Sequence, residues 1–239
     1  MPKVAIVTGS SSGIGIAIAR QFASSQYGVV VNSSSGGTAG PTLASALPDA
    51  IYVKADVREV HECSQLVEAA ISRWGRLDVL VNNAGVTTRI DHSDIEAVTP
   101  EIWNRIINTN LLGTWQMTVA ALPELRKAED GAVINMGSVA GLRAMGSSIP
   151  YAVSKAAIGH LTELLAHALG PSVRVNCLAP GLINTPLTHG WQDAQRFIET
   201  HAPLKRSGTP EEVAEACVFL ASAGYITGEI LSIDGGLRL

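Results

Sequence analysis

Short apolar runs and longer mixed stretches alternate along the chain from end to end. Runs such as Val4-Ala5-Ile6-Val7 and Val79-Leu80-Val81 are apolar at consecutive positions, not at every second one. That is the signature of strands buried on both faces. Seven strands are predicted, at 3–8, 29–32, 51–54, 77–82, 132–136, 173–177 and 229–233. Helical patterns lie between them near 13–26, 39–47, 59–74, 100–127, 151–169 and 210–222. This alternation predicts an α/β fold: a single doubly wound domain over 1–239, with a parallel sheet of about seven strands and helices on both faces. One stretch breaks the rhythm. From Pro180 to about Pro210 no strand is expected, and Pro186, Gly190, Pro203 and Gly208 mix with Trp191 and Phe197. Long irregular segments in compact domains are usually lids or disordered, and the large apolar residues favour a substrate lid over about 182–208.

Composition narrows the partners. The 239 residues carry 17 Lys+Arg and 21 Asp+Glu, a formal net charge of −4, with no basic run. Nucleic acid and anionic membrane surfaces are therefore not expected ligands. No apolar stretch reaches 18 residues. The first residues run directly into a strand with no room for a signal peptide, so a cytoplasmic protein is expected. Cys63, Cys177 and Cys217 lie far apart and form neither a disulfide framework nor a zinc site; no metal is expected. Charged residues make up 16% of the chain, against about 25% in an average soluble domain. From Ile106 to Leu122 there is no charge, and from Tyr151 to Leu169 only Lys155 and Glu163 are charged. Helices apolar nearly all round are buried on more than one side, which predicts a homo-oligomer.

The turn after the first strand reads Thr8-Gly9-Ser10-Ser11-Ser12-Gly13-Ile14-Gly15. Glycines let a backbone approach a ligand closely, and the free N–H groups of the following helix favour an anion. The spacing is TGxxxGxG, without the Lys-Ser/Thr of a nucleotide triphosphatase loop, so a dinucleotide is expected at Gly9, Ser11, Ser12, Gly13, Ile14 and Gly15. At the end of the second strand an acid would bond ribose hydroxyls and repel a 2′-phosphate. Asn32-Ser33-Ser34-Ser35 stands there instead, which favours NADP over NAD.

Tyr151 and Lys155 are four apart and share one helix face. A cation about 4 Å from a phenol is worth roughly 4 kcal/mol at an effective dielectric near 20, or about three pKa units. Lys155 is therefore expected to bring Tyr151 toward the range of efficient general acid/base work. Ser138 follows the fifth strand, at a sheet edge where such folds bind ligands, and its hydroxyl can donate to a developing oxyanion.

Together, the glycine turn, Asn82-Asn83-Ala84-Gly85, Asn110, Ser138, Tyr151-Ala-Val-Ser-Lys155 and Pro180-Gly181 resemble the short-chain dehydrogenase/reductase family, in order and spacing, over essentially the whole chain. The resemblance implies a Rossmann fold, a nicotinamide cofactor and hydride transfer to or from a carbonyl or alcohol carbon. It also implies that Asp56 and Val57 meet the adenine and that Asn83, Ala84 and Gly85 lie near the adenosine ribose. Pro180, Gly181, Ile183 and Thr185 would hold the carboxamide, and Lys155 would bond the nicotinamide ribose. Asn110 would complete a proton relay through a water to Lys155, and the assembly would be a homotetramer. Within the family, a 3-oxoacyl-carrier-protein reductase and a sugar, polyol or hydroxy-ketone dehydrogenase both remain open, as does a non-catalytic dinucleotide-binding sensor. Arg126-Lys127 is the nearest approach to a basic docking patch, but Glu124, Glu129 and Asp130 surround it. His160 and His167 are expected to serve packing or an interface rather than a metal. Glu211-Glu212, after Pro210, fits the first turn of a helix. Arg89 and Arg143 flank the expected substrate entrance.

Overall fold

The computed structural model describes residues 2–239. Seven strands, β1 (Val4–Val7), β2 (Gly28–Ser33), β3 (Ala50–Lys54), β4 (Val79–Asn82), β5 (Gly131–Met136), β6 (Val173–Pro180) and β7 (Ile230–Ile233), form one sheet. All pair in parallel, in the order β3-β2-β1-β4-β5-β6-β7. The consecutive apolar residues divide between two faces. Ala5 and Val7 of β1 join a core with α1 (Gly13–Ser24) and α8 (Pro210–Ser222), while Val4 and Ile6 join another with α3 (Val60–Trp74) and α5 (Gly113–Leu125). Each fully buried Leu, Ile or Phe side chain contributes about 1.5–3 kcal/mol, so both faces resist opening.

Helix α2 (Ala39–Ala46) crosses from β2 to β3, and α6 (Ile149–Leu169) runs between β5 and β6. Strand order reverses where β1 lies between β2 and β4. Sheets of this kind bind ligands in the crevice outside the carboxyl ends of the strands at such a point. At that edge Asn82 and Asn135 are register partners. The Asn82 amide donates to Asn135 Oδ1 (2.9 Å) and to the Thr118 hydroxyl (3.0 Å), and Asn135 donates to the Thr162 hydroxyl (3.0 Å). This buried chain ties β4 and β5 to α5 and α6, and an unpaired member would cost about 1–3 kcal/mol.

The helix predicted over 100–127 is interrupted. Helix α4 (Pro100–Ile107) passes through a π turn, Asn108–Leu112, before α5 begins. The wider turn brings Asn110 inside, 1% exposed, and such turns gather at functional sites. The stretch expected to be irregular also holds a helix, α7 (Gln192–His201). It buries only Ile198 of its ten residues, so its apolar signal is weak. Ile198 and Ala202 pack with Val139 and Leu237 in a small separate cluster. Helix α8 starts with a capping box: Thr209 Oγ1 accepts from the Glu212 amide, and Glu212 accepts from the Thr209 amide. Arg206 holds the Glu212 carboxyl down to about 2. The Glu211-Glu212 dyad is thus a helix start. Among the described residues no helix is long and apolar enough to cross a membrane.

Candidate active site

The site begins at the β1–α1 turn. Gly9 has φ +61, and a Cβ there would lie 2.8 Å from the Ala84 Cα; one on Gly15 would lie 2.5 Å from the Gly9 carbonyl oxygen. Side chains larger than hydrogen would fill this cradle. Thr8 Oγ1 accepts the amides of Asn83 and Ala84, both at 3.0 Å, and the Asn83 amide group donates to the Thr8 (2.8 Å) and Gly9 (3.1 Å) carbonyls. The turn is thereby fixed to the end of β4. Helix α1 starts with no side-chain cap from Ser12 and no acid in its first turn. Its N–H groups are left to meet an anion.

One cleft of about 500 Å³ runs from this turn across the sheet edge. Every residue expected to bind cofactor lines it, from Gly9, Ser11, Ser12, Gly13, Ile14 and Gly15 to Pro180, Gly181, Ile183 and Thr185. Asn32, Ser33, Ser34, Asp56, Val57, Asn83, Ala84 and Gly85 lie between, and Ser138, Tyr151 and Lys155 close the far end.

Lining a cleft and facing a ligand are different matters. The Asn32 amide is engaged by the Gly9 N–H and the Val53 and Ala55 carbonyls, and Ser33 by Tyr52 and the Ser35 carbonyl. Those two shape the loop, while Ser34 is exposed beside them. Asp56 is held in a fork by Arg58, Nη2 to Oδ2 at 2.6 Å and Nε to Oδ1 at 3.0 Å, which lowers its carboxyl pKa. Arg58 and Arg105 also line the cleft and escaped the sequence reading. Arg58 sits two residues beyond Asp56, and Arg105 is brought in only by α4.

At the chemical end, Ser138 Oγ accepts the Ala140 amide (3.2 Å) as the cap of a 3-10 turn, and lies 3.5 Å from the Pro180 carbonyl oxygen. Lys155, 7% exposed, donates to the Met136 carbonyl at 2.6 Å, with its Nζ 5.7 Å from the Tyr151 ring centroid. Here the electrostatics depart from expectation. Burial raises the Tyr151 pKa, opposed by the Ser138 hydroxyl. Burial also pushes Lys155 down to about 8, with Cys177 opposing. The same low dielectric that would strengthen an ammonium–phenolate pair disfavours both charged forms. The ammonium is turned to a carbonyl rather than to the phenol. Tyr151 is thus a protonated group near neutral pH, the state required of a proton donor.

Asn110 does not line the cleft. Its Oδ1 accepts the Val86 amide (2.8 Å), and its Nδ2 donates to the Val86 carbonyl (3.1 Å) and to Ser154 Oγ (3.0 Å). The amide is a strap joining the loop after β4 to α6. Its main-chain carbonyl accepts from the Thr114 hydroxyl (2.8 Å). Arg143 donates to the Leu237 carbonyl, and Arg89 pairs with Asp193. His160 meets Glu163, three residues on, at 3.0 Å on an exposed face. Among the described residues no His, Cys, Asp and Glu cluster could hold a metal. The glycine cradle, the uncapped helix start and the Asp56 fork fit a dinucleotide.

Comparison with known proteins places the chain in a family. A family model described as enoyl-(acyl carrier protein) reductase matches residues 9–238. A Streptomyces violaceoruber protein, named ketoacyl reductase 2 of the granaticin polyketide synthase, is 51% identical over 99% of this chain and 96% of its own. The 3-oxoacyl-[acyl-carrier-protein] reductase of Chlamydia muridarum is 37% identical over 98% of this chain and 97% of its own. The structure of a Brucella melitensis 3-ketoacyl-(acyl-carrier-protein) reductase complexed with NADH superposes with a TM-score of 0.92, at 32% identity, over 99% of this chain and 98% of that one. ElxO with NADP bound gives 0.90, also at 32% identity, over 99% of each chain. The chain belongs to the short-chain dehydrogenase/reductase family and is a nicotinamide-dependent oxidoreductase acting between carbonyl and alcohol.

Proposed function

We propose that this enzyme reduces the ketone of a 3-oxoacyl thioester, with NADPH as its preferred reductant. The carrying observation is that Ser138, Tyr151 and Lys155 meet at one end of a cleft whose other end is the glycine turn. A bound nicotinamide supplies the hydride, and the protein supplies position and proton. Gly9 and the start of α1 receive the diphosphate, and Asp56, Val57, Asn83, Ala84 and Gly85 border the adenosine. Pro180, Gly181, Ile183 and Thr185 line the nicotinamide end, where Lys155 bonds the ribose. Tyr151 gives its proton to the substrate oxygen, and Ser138 donates a hydrogen bond to that oxygen as negative charge develops on it. Asn110 positions the loop after β4 and holds the water of the relay, through Lys155, that reloads Tyr151.

The thioester reading is supported by the ketoacyl reductase names of the Streptomyces and Chlamydia relatives. The NADPH preference is supported by charge. Arg58, Arg105 and Lys155 line the cleft against Asp56 as the one acid, and Arg58 already neutralises that carboxylate. Lys54 Nζ adds a cation 3.8 Å from where a Gly36 Cβ would stand, beside the Ser33–Ser35 loop. Apolar residues exposed along α5 and the preceding turn (Leu112, Trp115 and Val119) and along α6 (Val153 and Leu164) support a homotetramer. Val119→Asp is expected to shift sedimentation toward smaller species.

The test follows absorbance of reduced nicotinamide with S-acetoacetyl-N-acetylcysteamine, a sugar ketone and a cyclic ketone as substrates. The expected result is consumption of NADPH faster than NADH with the thioester. Turnover of the other ketones alone, or of NADH alone, would overturn the respective half of the proposal.

A further inference from the structure

We infer that Arg89 is a positioning residue for the substrate lid, a clasp that holds the N-terminal end of α7 against the loop after β4. Its guanidinium pairs with Asp193, in the first turn of α7, and lies 5.4 Å from the centroid of the Trp191 ring. Such a pair combines ionic and cation–π attraction on one group. The inference builds on the reading that 182–208 covers substrate, and its test does not require turnover.

The loop that carries Arg89 is a firm base. Val86 is strapped by Asn110 on both its amide and its carbonyl. The Ile90 amide donates to the Ser147 carbonyl at 2.8 Å, the Thr87 and Ser147 hydroxyls meet at 2.5 Å, and Arg105 holds Thr88. The loop thus joins the wall before α6 to α4, and Arg89 is its reach toward the lid.

Helix α7 of the lid, in contrast, is anchored unevenly. Its C-terminal end is buried: Ile198 is 4% and Ala202 1% exposed, packed with Val139 and Leu237. At the other end Gln192 and Asp193 are exposed, and Trp191 is half-buried. Apolar burial therefore fixes one end, and a solvent-facing charge contact fixes the other. Exposed ion pairs are weak and screened by salt, so this end is the one that opens. A lid that swings at 186–195 about a pivot at Ile198–Ala202 admits substrate without dissolving α7. Arg89 is then occupied by the lid and is not a binding group for an anionic substrate.

Hydrogen–deuterium exchange of the full-length chain tests this directly. In Arg89→Ala, amides within 186–195 are expected to exchange about fivefold faster than in the parent, with those of 198–202 within twofold. Asp193→Ala should accelerate the same amides, by no more than Arg89→Ala because the Trp191 contact remains, and the double variant should be no faster than Arg89→Ala. Unchanged exchange over 186–195, single effects that multiply in the double variant, or equal acceleration through 198–202 would each overturn the clasp. A Tyr151→Phe variant that keeps its turnover would unseat the catalytic assignment and leave this result untouched.

Discussion

Replacing Asn110 with Ala separates two accounts of that residue. A side chain that only relays protons would cost turnover and nothing else. The strap geometry predicts a broader loss. Asn110, 1% exposed, supplies the partners of the Val86 amide and carbonyl and of Ser154 Oγ. Ser154 keeps its bond to the Tyr151 carbonyl, so the two Val86 groups bear the loss. Each unpaired buried polar group costs about 1–3 kcal/mol, and Val86 is only partly buried. The total should be about 2–3 kcal/mol. For a chain of this size that is about 4–12 °C in Tm. Urea unfolding should show a lower midpoint with unchanged slope. Because Gly85 and Val86 line the cleft, the Kd for reduced coenzyme, read by its fluorescence, should rise about fivefold, or roughly 1 kcal/mol. Unfolding free energy within about 0.5 kcal/mol of the parent, with coenzyme affinity intact and kcat alone reduced, would refute the strap.

Other expectations follow from burial and charge. Lys155 titrates at about 8 in the folded protein and near 10.4 when unfolded. Between those values the unfolded chain binds more protons, so Lys155 makes stability rise with pH, by up to about 1.4 kcal/mol per unit. Burial raises the thiol pKa of Cys63, Cys177 and Cys217. The unfolded thiols ionise first, which lowers stability above about pH 8.5. The comparison with Lys155→Met cancels Cys63 and Cys217, and Cys177, which loses the charge that lowers its thiol pKa, acts in the same direction. The variant's stability relative to the parent should fall by at least about 1–2 kcal/mol between pH 7.5 and 9.5, and parallel urea profiles would contradict it. Ser34→Asp restores an acid at the end of β2. It should raise the NADPH KM at least about tenfold through like-charge repulsion and leave the NADH KM within about twofold; equal effects on both would remove Ser34 from coenzyme selection.

The strands were legible because both of their faces are covered. Val4 to Val7 and Val79 to Asn82 are buried at every position, and their short length and β-branched residues separate them from a buried helix. The motif residues were legible as positions, and most of them, though not Asn82 or Asn110, surround one cleft. What each side chain does there was not. Asn32 and Asn110 have the residue type of a ligand-binding amide, yet their hydrogen bonds go to backbone groups 21 to 24 residues away and, for Asn110, also to the Ser154 hydroxyl, which no local pattern records. The π turn was hidden because Asn108–Leu112 continues an uncharged helical stretch. Helix α7 was hidden because Gln, Asp, Arg and Glu surround its one buried residue. The electrostatics of Tyr151 misled for a different reason. Four-residue spacing places Lys155 on the right face, but desolvation depends on how deeply both groups lie, and burial raises the Tyr151 pKa while lowering that of Lys155.

The account stands on Tyr151 as the proton donor in a site that its removal leaves assembled. Single-turnover oxidation of NADPH by the thioester in Tyr151→Phe, set beside coenzyme binding by the same protein, measures this most directly. The expected outcome is coenzyme affinity within about twofold of the parent and a hydride-transfer rate at least about a hundredfold lower, in the range general acid catalysis supplies. A variant that binds NADPH and transfers hydride at the parental rate would contradict it.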